Sequence, residues 1–263
     1  MKQILFTRKK SKITLLGILV FFLTGSNSVF AQTSVRGNSG PVLASHYSYG
    51  FFEPQADLAD RFGGVASPSI SVEYMHDNNW IVGAQGNFYF GSRVDEDPLS
   101  FLRNDLGYIY GTAEEPATIT LRMRGIMMGG HVGRLFGIDP ANSRNGIRVT
   151  LGAGFLQHKI RIQNDPQMPT PGLSGDYARG YDRLTNGLAL TQFIGYQLYG
   201  KNRRTNFFFG LELTEAFTQN RRNADFDTGL APDTKRTDVL AGLRLGWTLP
   251  FWLGEGKSGD LYY

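Results

Sequence analysis

From residue 42 onward, apolar side chains recur at every second position. The segment 239–251 shows this most clearly. Val239, Ala241, Leu243, Leu245, Trp247, Leu249 and Phe251 alternate with Leu240, Gly242, Arg244, Gly246, Thr248 and Pro250. Successive side chains of a strand point to opposite faces, so one face is wholly apolar and the other small, polar and charged. The same period predicts strands over 42–52, 69–76, 80–91, 118–135, 147–158, 187–198 and 205–217, eight in all. Within 118–135 the apolar set moves from Ile119, Leu121 and Met123 to Ile126, Met128 and Val132, and a β-bulge at Gly125 is the simplest device for that phase change.

Soluble sandwiches and lipocalin-like barrels alternate too, so the period alone does not decide the class. The chemistry of the faces does more. The mixed face is rich in Gly with scattered Arg and Glu, as a narrow polar lumen requires, and the other face is a band of aliphatic and aromatic side chains suited to lipid. The connections span 53–67, 77–79, 92–117, 137–145, 163–184, 200–204 and 220–236, alternating long and short. That parity belongs to an outer-membrane barrel with both termini in the periplasm, where short turns lie on one side and long loops outside. The expected fold is all-β, an eight-stranded antiparallel transmembrane barrel over 42–251. Aromatics near the strand ends, among them Tyr47, Tyr74, Trp80, Phe207 and Trp247, suit interface girdles.

Composition changes the picture at the N-terminus. The chain carries a formal charge of +4, but residues 1–31 hold Lys2, Arg8, Lys9, Lys10 and Lys12 and no acid. The basic start, the apolar run Ile13–Leu23 and the small-residue site before Gln32 read as a secretory signal peptide over 1–31. The run is too short for a helix that needs about 20 residues to cross hydrocarbon. Without that segment 22 bases face 23 acids, so the basic balance is no sign of nucleic acid. Residues 32–41 form an expected periplasmic segment and 252–263 a C-terminal tail. The absence of cysteine excludes disulfides and thiolate sites.

Parity places Glu73, Arg122, Arg124, Arg148, Glu212 and Arg244 inside the barrel as a lumen charge network. Eight strands enclose a space that side chains fill, and buried charges there must pair. His46, His158 and, after the phase change, His131 also point inward. A hydrolase would need one of them beside a nucleophile such as Ser45 or Ser48 and an acid such as Asp165. No nucleophile-elbow, metalloprotease or phosphate-loop pattern occurs, so no catalytic, metal or cofactor site is expected. Asp225 and Asp227 lack the spacing of a calcium loop.

The long connections carry the remaining candidate chemistry. Asp57–Gly63 predicts a short helix with Leu58 and Phe62 on one face, and Leu173–Arg183 mixes Tyr177 and Tyr181 with Arg179 and Arg183. Tyr and Arg together are common at protein interfaces, so these six residues form a candidate loop interface.

The chain resembles the small outer-membrane β-barrel proteins of Bacteroidota, of the OmpA/OmpX-like eight-stranded class. Asp57–Gly63, Asn79–Gly83, Gly86–Gly91, Gly154–Ile160, Gly175–Gly187 and the aromatic end Leu261–Tyr263 carry the resemblance. It implies outer-membrane lipid as surroundings and other outer-membrane proteins as candidate partners; the acids Asp95, Glu96, Asp97, Glu114 and Glu115 of the second long connection argue against nucleic acid, whose phosphates they would repel. Three functions follow as expectations: a non-enzymatic barrel that anchors or displays its loops, an accessory subunit of an outer-membrane assembly or secretion machine, or a lipid-acting enzyme at the barrel lip.

Overall fold

The computed structural model describes residues 40–112, 115–164, 167, 169–200, 205–230 and 234–253. The expected signal peptide, residues 32–39 of the following segment and the tail beyond Leu253 lie outside the described residues.

Eight antiparallel strands close into a barrel: β1 (Val42–Ala56), β2 (Val65–Met75), β3 (Trp80–Gly91), β4 (Thr120–Asp139), β5 (Asn142–Gln163), β6 (Thr185–Tyr199), β7 (Asn206–Asn220) and β8 (Lys235–Trp252). Each strand pairs with its sequence neighbours, and β1 pairs with β8 from Val42 opposite Trp252 to Ala56 opposite Asp238. Closure leaves the sheet without an edge, so every strand's backbone finds its partners within the ring. Trp252, expected in the tail, completes β8.

The connections alternate as the sequence implies. Long segments follow β1, β3, β5 and β7, and short turns follow β2, β4 and β6. The turn after β4 is tighter than the 137–145 loop expected: Asp139 pairs with Asn142 around Pro140–Ala141. The segment after β3 carries a two-stranded hairpin, Ile109–Tyr110 with Pro116–Ala117.

Outward positions of all eight strands form a belt of exposed apolar residues, including Ile70, Val82, Met128, Leu151, Ile194, Leu211 and Leu245. Tyr47 stacks on Trp247 across the β1–β8 seam. In water so large a contiguous apolar surface would be strongly unfavourable, since monomers rarely expose patches beyond a few hundred Å².

One strand departs from expectation. No bulge occurs at Gly125: β4 runs in register with β3 and β5 through that residue, and its only irregularity lies between Gly137 and Asp139. Met123, Gly125, Met127, His131 and Leu135 therefore share the inward face, while Arg122 and Arg124 point outward, not into the lumen. The hydrophobic sense inverts without a slip because β4 and β5 outrun the apolar belt at the loop end. There Leu121, Met123, Ile160 and Ile162 turn inward onto packed loops, and the outer face no longer meets an apolar surface.

Candidate functional site

The interior is layered. At the turn end, Val42, Met75, Ile81, Leu135 and Tyr199 form an apolar cluster with Trp252 packed on it. Towards the loop end lies a larger one, including Phe52, Leu58, Phe62, Tyr89, Met127 and Leu156. Two buried ion pairs sit between them.

Glu73 is the centre of that layer. Its carboxylate meets Arg148 Nη2, His131 Nε2 at 2.9 Å and His46 Nε2 at 3.0 Å. His46 Nδ1 lies 2.9 Å from Thr248 Oγ1, which also accepts from Gln197 at 3.2 Å. The Arg148 guanidinium lies over the rings of Phe208 and Phe193, adding cation–π attraction to the ion pair. Gly83 makes the arrangement possible, since a Cβ there would stand 2.6 Å from Glu73 Cγ and 2.9 Å from His131 Nε2. A second pair joins Arg244 to both oxygens of Glu212 at 2.5 and 2.7 Å, with a further bond to Ser48 Oγ at 3.2 Å. Bidentate geometry of this kind is the strong form of an ion pair. Of the six residues expected in the lumen network, Glu73, Arg148, Glu212 and Arg244 are therefore brought together and paired. Arg122 and Arg124 are not part of it.

His131 and His158 are hydrogen-bonded to buried carboxylates, and His46 lies within ion-pair distance of one. His158 Nε2 lies 2.8 Å from Asp238 Oδ2, which also accepts from the Thr218 hydroxyl at 2.5 Å, and Phe62 covers the ring edge-to-face. A nucleophilic triad needs a reachable hydroxyl on the histidine's other nitrogen; on His46 that place is taken by Thr248, which is fully buried. Ser48 instead accepts from Arg244, and Ser45 is on the outward face. Asp165 lies outside the described residues.

Sequence reasoning missed Arg144, which it placed in a turn. Only 1% exposed, this side chain donates to Asn79 Oδ1 at 2.8 Å and to the carbonyls of His76 and Gly40, and it lies over the Trp252 ring. It closes the turn end. The available signal was parity, because Arg144 shares the even, inward register of Arg148.

At the other end the long connections pack into a canopy. Leu58 and Phe62 belong to the core under it, not to a displayed interface. The 3-10 helix Asp57–Asp60 directs Leu58 inward, and Phe62 follows. Tyr181 is buried with Leu99, Ile109 and Leu173. Arg183 ties three loops: it donates to Glu96 at 2.7 Å and to Asp227 at 2.5 and 3.0 Å, and it pairs with Asp225 at 2.8 Å. Arg61 bonds the other side of Glu96 at 2.6 Å, and Arg222 holds Asp182 through two bonds. Asp225 and Asp227 are thus taken by a guanidinium, and among the described residues no group of three His, Cys, Asp or Glu is placed to hold a metal ion. Tyr177 and Arg179 remain exposed, as do Phe101, Leu106, Tyr108 and Phe226.

The canopy has a pH dependence whose sign can be worked out. Burial pushes the Glu96 carboxyl up, but the charges of Arg61 and Arg183 more than offset it, leaving its pKa below the ordinary value. Asp227 is lowered in the same way by Arg183, whereas burial holds Asp225 above its ordinary value. A lowered carboxylate stabilises the fold above its unfolded pKa of about 4 and loses that contribution as pH falls through the folded value. Asp225 works in the opposite direction, its proton being welcomed on acidification. With two groups against one, acidification from pH 7 to about 3 is expected to open the canopy while the barrel stays closed. Limited acid proteolysis should then cut within 92–117 or 163–184 and leave the strands intact. Unchanged loop protection at pH 3 would contradict this.

No protein-family model matches the sequence, and no curated protein matches it. Solved structures do. The attachment invasion locus protein Ail of Yersinia pestis, crystallised with the heparin analogue sucrose octasulfate, aligns over 80% of this chain and 99% of its own, with 10% identity and a TM-score of 0.37. Neisserial surface protein A aligns over 78% and 98%, with 12% identity and a TM-score of 0.35. The outer membrane protein OprG of Pseudomonas aeruginosa aligns over 82% and 98%, with 10% identity and a TM-score of 0.34. The fold class of this chain is the closed eight-stranded antiparallel barrel, and it rests on the ring of strands itself.

Proposed function

We propose that the protein is a non-enzymatic outer-membrane barrel whose lumen is a structural core and whose loop canopy is the working surface. One observation carries this reading: the ring is inside-out relative to a soluble barrel, with a continuous apolar belt outside and paired charges within. Lipid covers such a belt, and a filled eight-stranded lumen leaves no room for a diffusion pore. The canopy is locked by ion pairs and presents Phe101, Leu106, Tyr108, Tyr177 and Phe226, rigid aromatic and aliphatic anchors of the kind that dominate binding energy at interfaces. These exposed side chains favour partnership over anchoring alone, and an accessory role beside a larger outer-membrane assembly is the form it would take.

The test is fractionation followed by native pull-down. The tagged protein is expected in outer membranes, migrating faster on gels before boiling than after. Extraction in mild detergent is expected to retain stoichiometric companions that are lost when 100–112 is replaced by a short Gly-Ser turn. Release by osmotic shock would refute the barrel in lipid. A lone species with an intact canopy would refute the accessory role.

A further inference from the structure

The two arginines that leave the lumen create a feature of their own. Arg122 pairs in register with Arg161, and Arg124 with Lys159, all four on the outer face at the loop end of β4 and β5. Directly opposed side chains in an antiparallel pair stand about 5 Å apart, and like charges in that position repel. Lys159 reaches Asp182 at 3.5 Å, but Arg222 already binds that carboxylate through two bonds. Arg124 donates only to the carbonyl of Met123, and Arg122 Nε is enclosed without an acceptor. Among the described residues, Arg122, Arg124 and Arg161 meet no carboxylate within ion-pair distance. A fold that keeps three guanidinium groups together without an acid is poised for an anion.

Beside this cluster the outer wall is grooved. A depression of about 680 Å³ runs from Arg122 and Arg124 past Phe90, Ala66 and Phe51 to Leu243, with Glu53 at its far side. Its position is the upper edge of the apolar belt, where lipid chains give way to headgroups. Cations at the head of an apolar groove match an amphiphile whose phosphate lies above its acyl chains.

We propose that this groove binds a phosphorylated glycolipid of the outer leaflet, with Arg122, Arg124 and Arg161 on a phosphomonoester and Phe51, Phe90 and Leu243 against the first acyl chain. Charge selects this occupant. A phosphomonoester approaches two negative charges near neutral pH, whereas a zwitterionic phospholipid would bring its own ammonium group to the cluster. The inference rests on the outer-membrane reading, which places the long loops and this end of the barrel outside the cell.

The test uses the full-length mature protein folded in phosphatidylcholine nanodiscs and titrated with bisphosphorylated lipid A. The combined variant Arg122→Gln, Arg124→Gln, Arg161→Gln is expected to bind about 100-fold more weakly, at roughly a factor of five per cation at a membrane surface. Arg134→Gln, an outward arginine at the other end of β4, should bind as the parent does. Fast migration on unboiled gels shows that each variant is folded. Equal binding by the triple variant overturns the proposal, as does equal binding of dephosphorylated lipid A or of phosphatidylglycerol by the parent. The orientation is read separately. The chain has no cysteine, so Tyr177→Cys offers a single label site, which a membrane-impermeant maleimide should reach on intact cells. Failure of that labelling alongside intact lipid A binding would place the fault in the membrane reading and not in the site's chemistry.

Discussion

Replacing Glu73 with alanine is expected to cost about 3–5 kcal/mol of barrel stability, the range found when one partner of a buried pair is removed. The loss would not be one ion pair alone. Glu73 meets Arg148, His46 and His131 at once, and Arg148 would keep its charge over the rings of Phe193 and Phe208 with no counter-ion. Urea unfolding in lipid vesicles, followed by loss of the fast-migrating gel form, measures the cost. The double variant Glu73→Leu, Arg148→Met should recover part of it, because two apolar side chains leave no stranded charge. A single variant within 1 kcal/mol of the parent would mean that water reaches the layer and screens it.

Leu211→Lys is expected to cost about 2–4 kcal/mol for the opposite reason, a charge placed in lipid. Leu211 lies in the middle of the belt between Leu243 and Ile194, with 59% of its surface outside the protein. Its neighbour Glu212 faces inward and carries charge without penalty because Arg244 holds both its oxygens. The same replacement at Gln55, outward but near the loop end of β1, should cost about 0–1 kcal/mol. Equal costs at the two depths, by the same urea assay, would show that the belt does not sit in hydrocarbon.

The barrel was legible in the sequence because period two acts uniformly where the surroundings are uniform. Within the belt, parity assigns Glu73, Arg148, Glu212 and Arg244 inward and Leu43, Val72, Phe88, Ile194 and Phe209 outward, and the structure agrees. The rule fails at Arg122 and Arg124, where the surroundings change halfway along a strand. Above the belt, Met123 and Ile160 find their apolar partners inside, under the canopy, so hydrophobicity reverses while geometry does not. Read as a phase change, that reversal suggested a bulge that the backbone does not contain. The loops were less legible for a different reason. Leu58 and Phe62 show the same spacing whether they face solvent or plug a barrel, and only the tertiary contact with Phe52 and Leu156 decides. Ion pairs such as Arg183 with Glu96 join residues 87 apart, which no local pattern announces.

The β1–β8 seam sets the order of assembly. Every other strand pair joins sequence neighbours, but the seam brings Ser48 to Gly246 and His46 to Thr248, 202 residues away. Hairpins can form early because their chains close short loops, whereas this last pairing must gather both ends of the barrel. The polar bridges are distributed to match. His46 to Thr248 and Arg244 to Ser48 span the seam itself, and Glu73 meets His46 only from the adjoining strand. An open sheet would break both of these seam bonds in lipid, where nothing replaces them. The charge layer therefore acts as a clasp, completed only when the first strand finds the last.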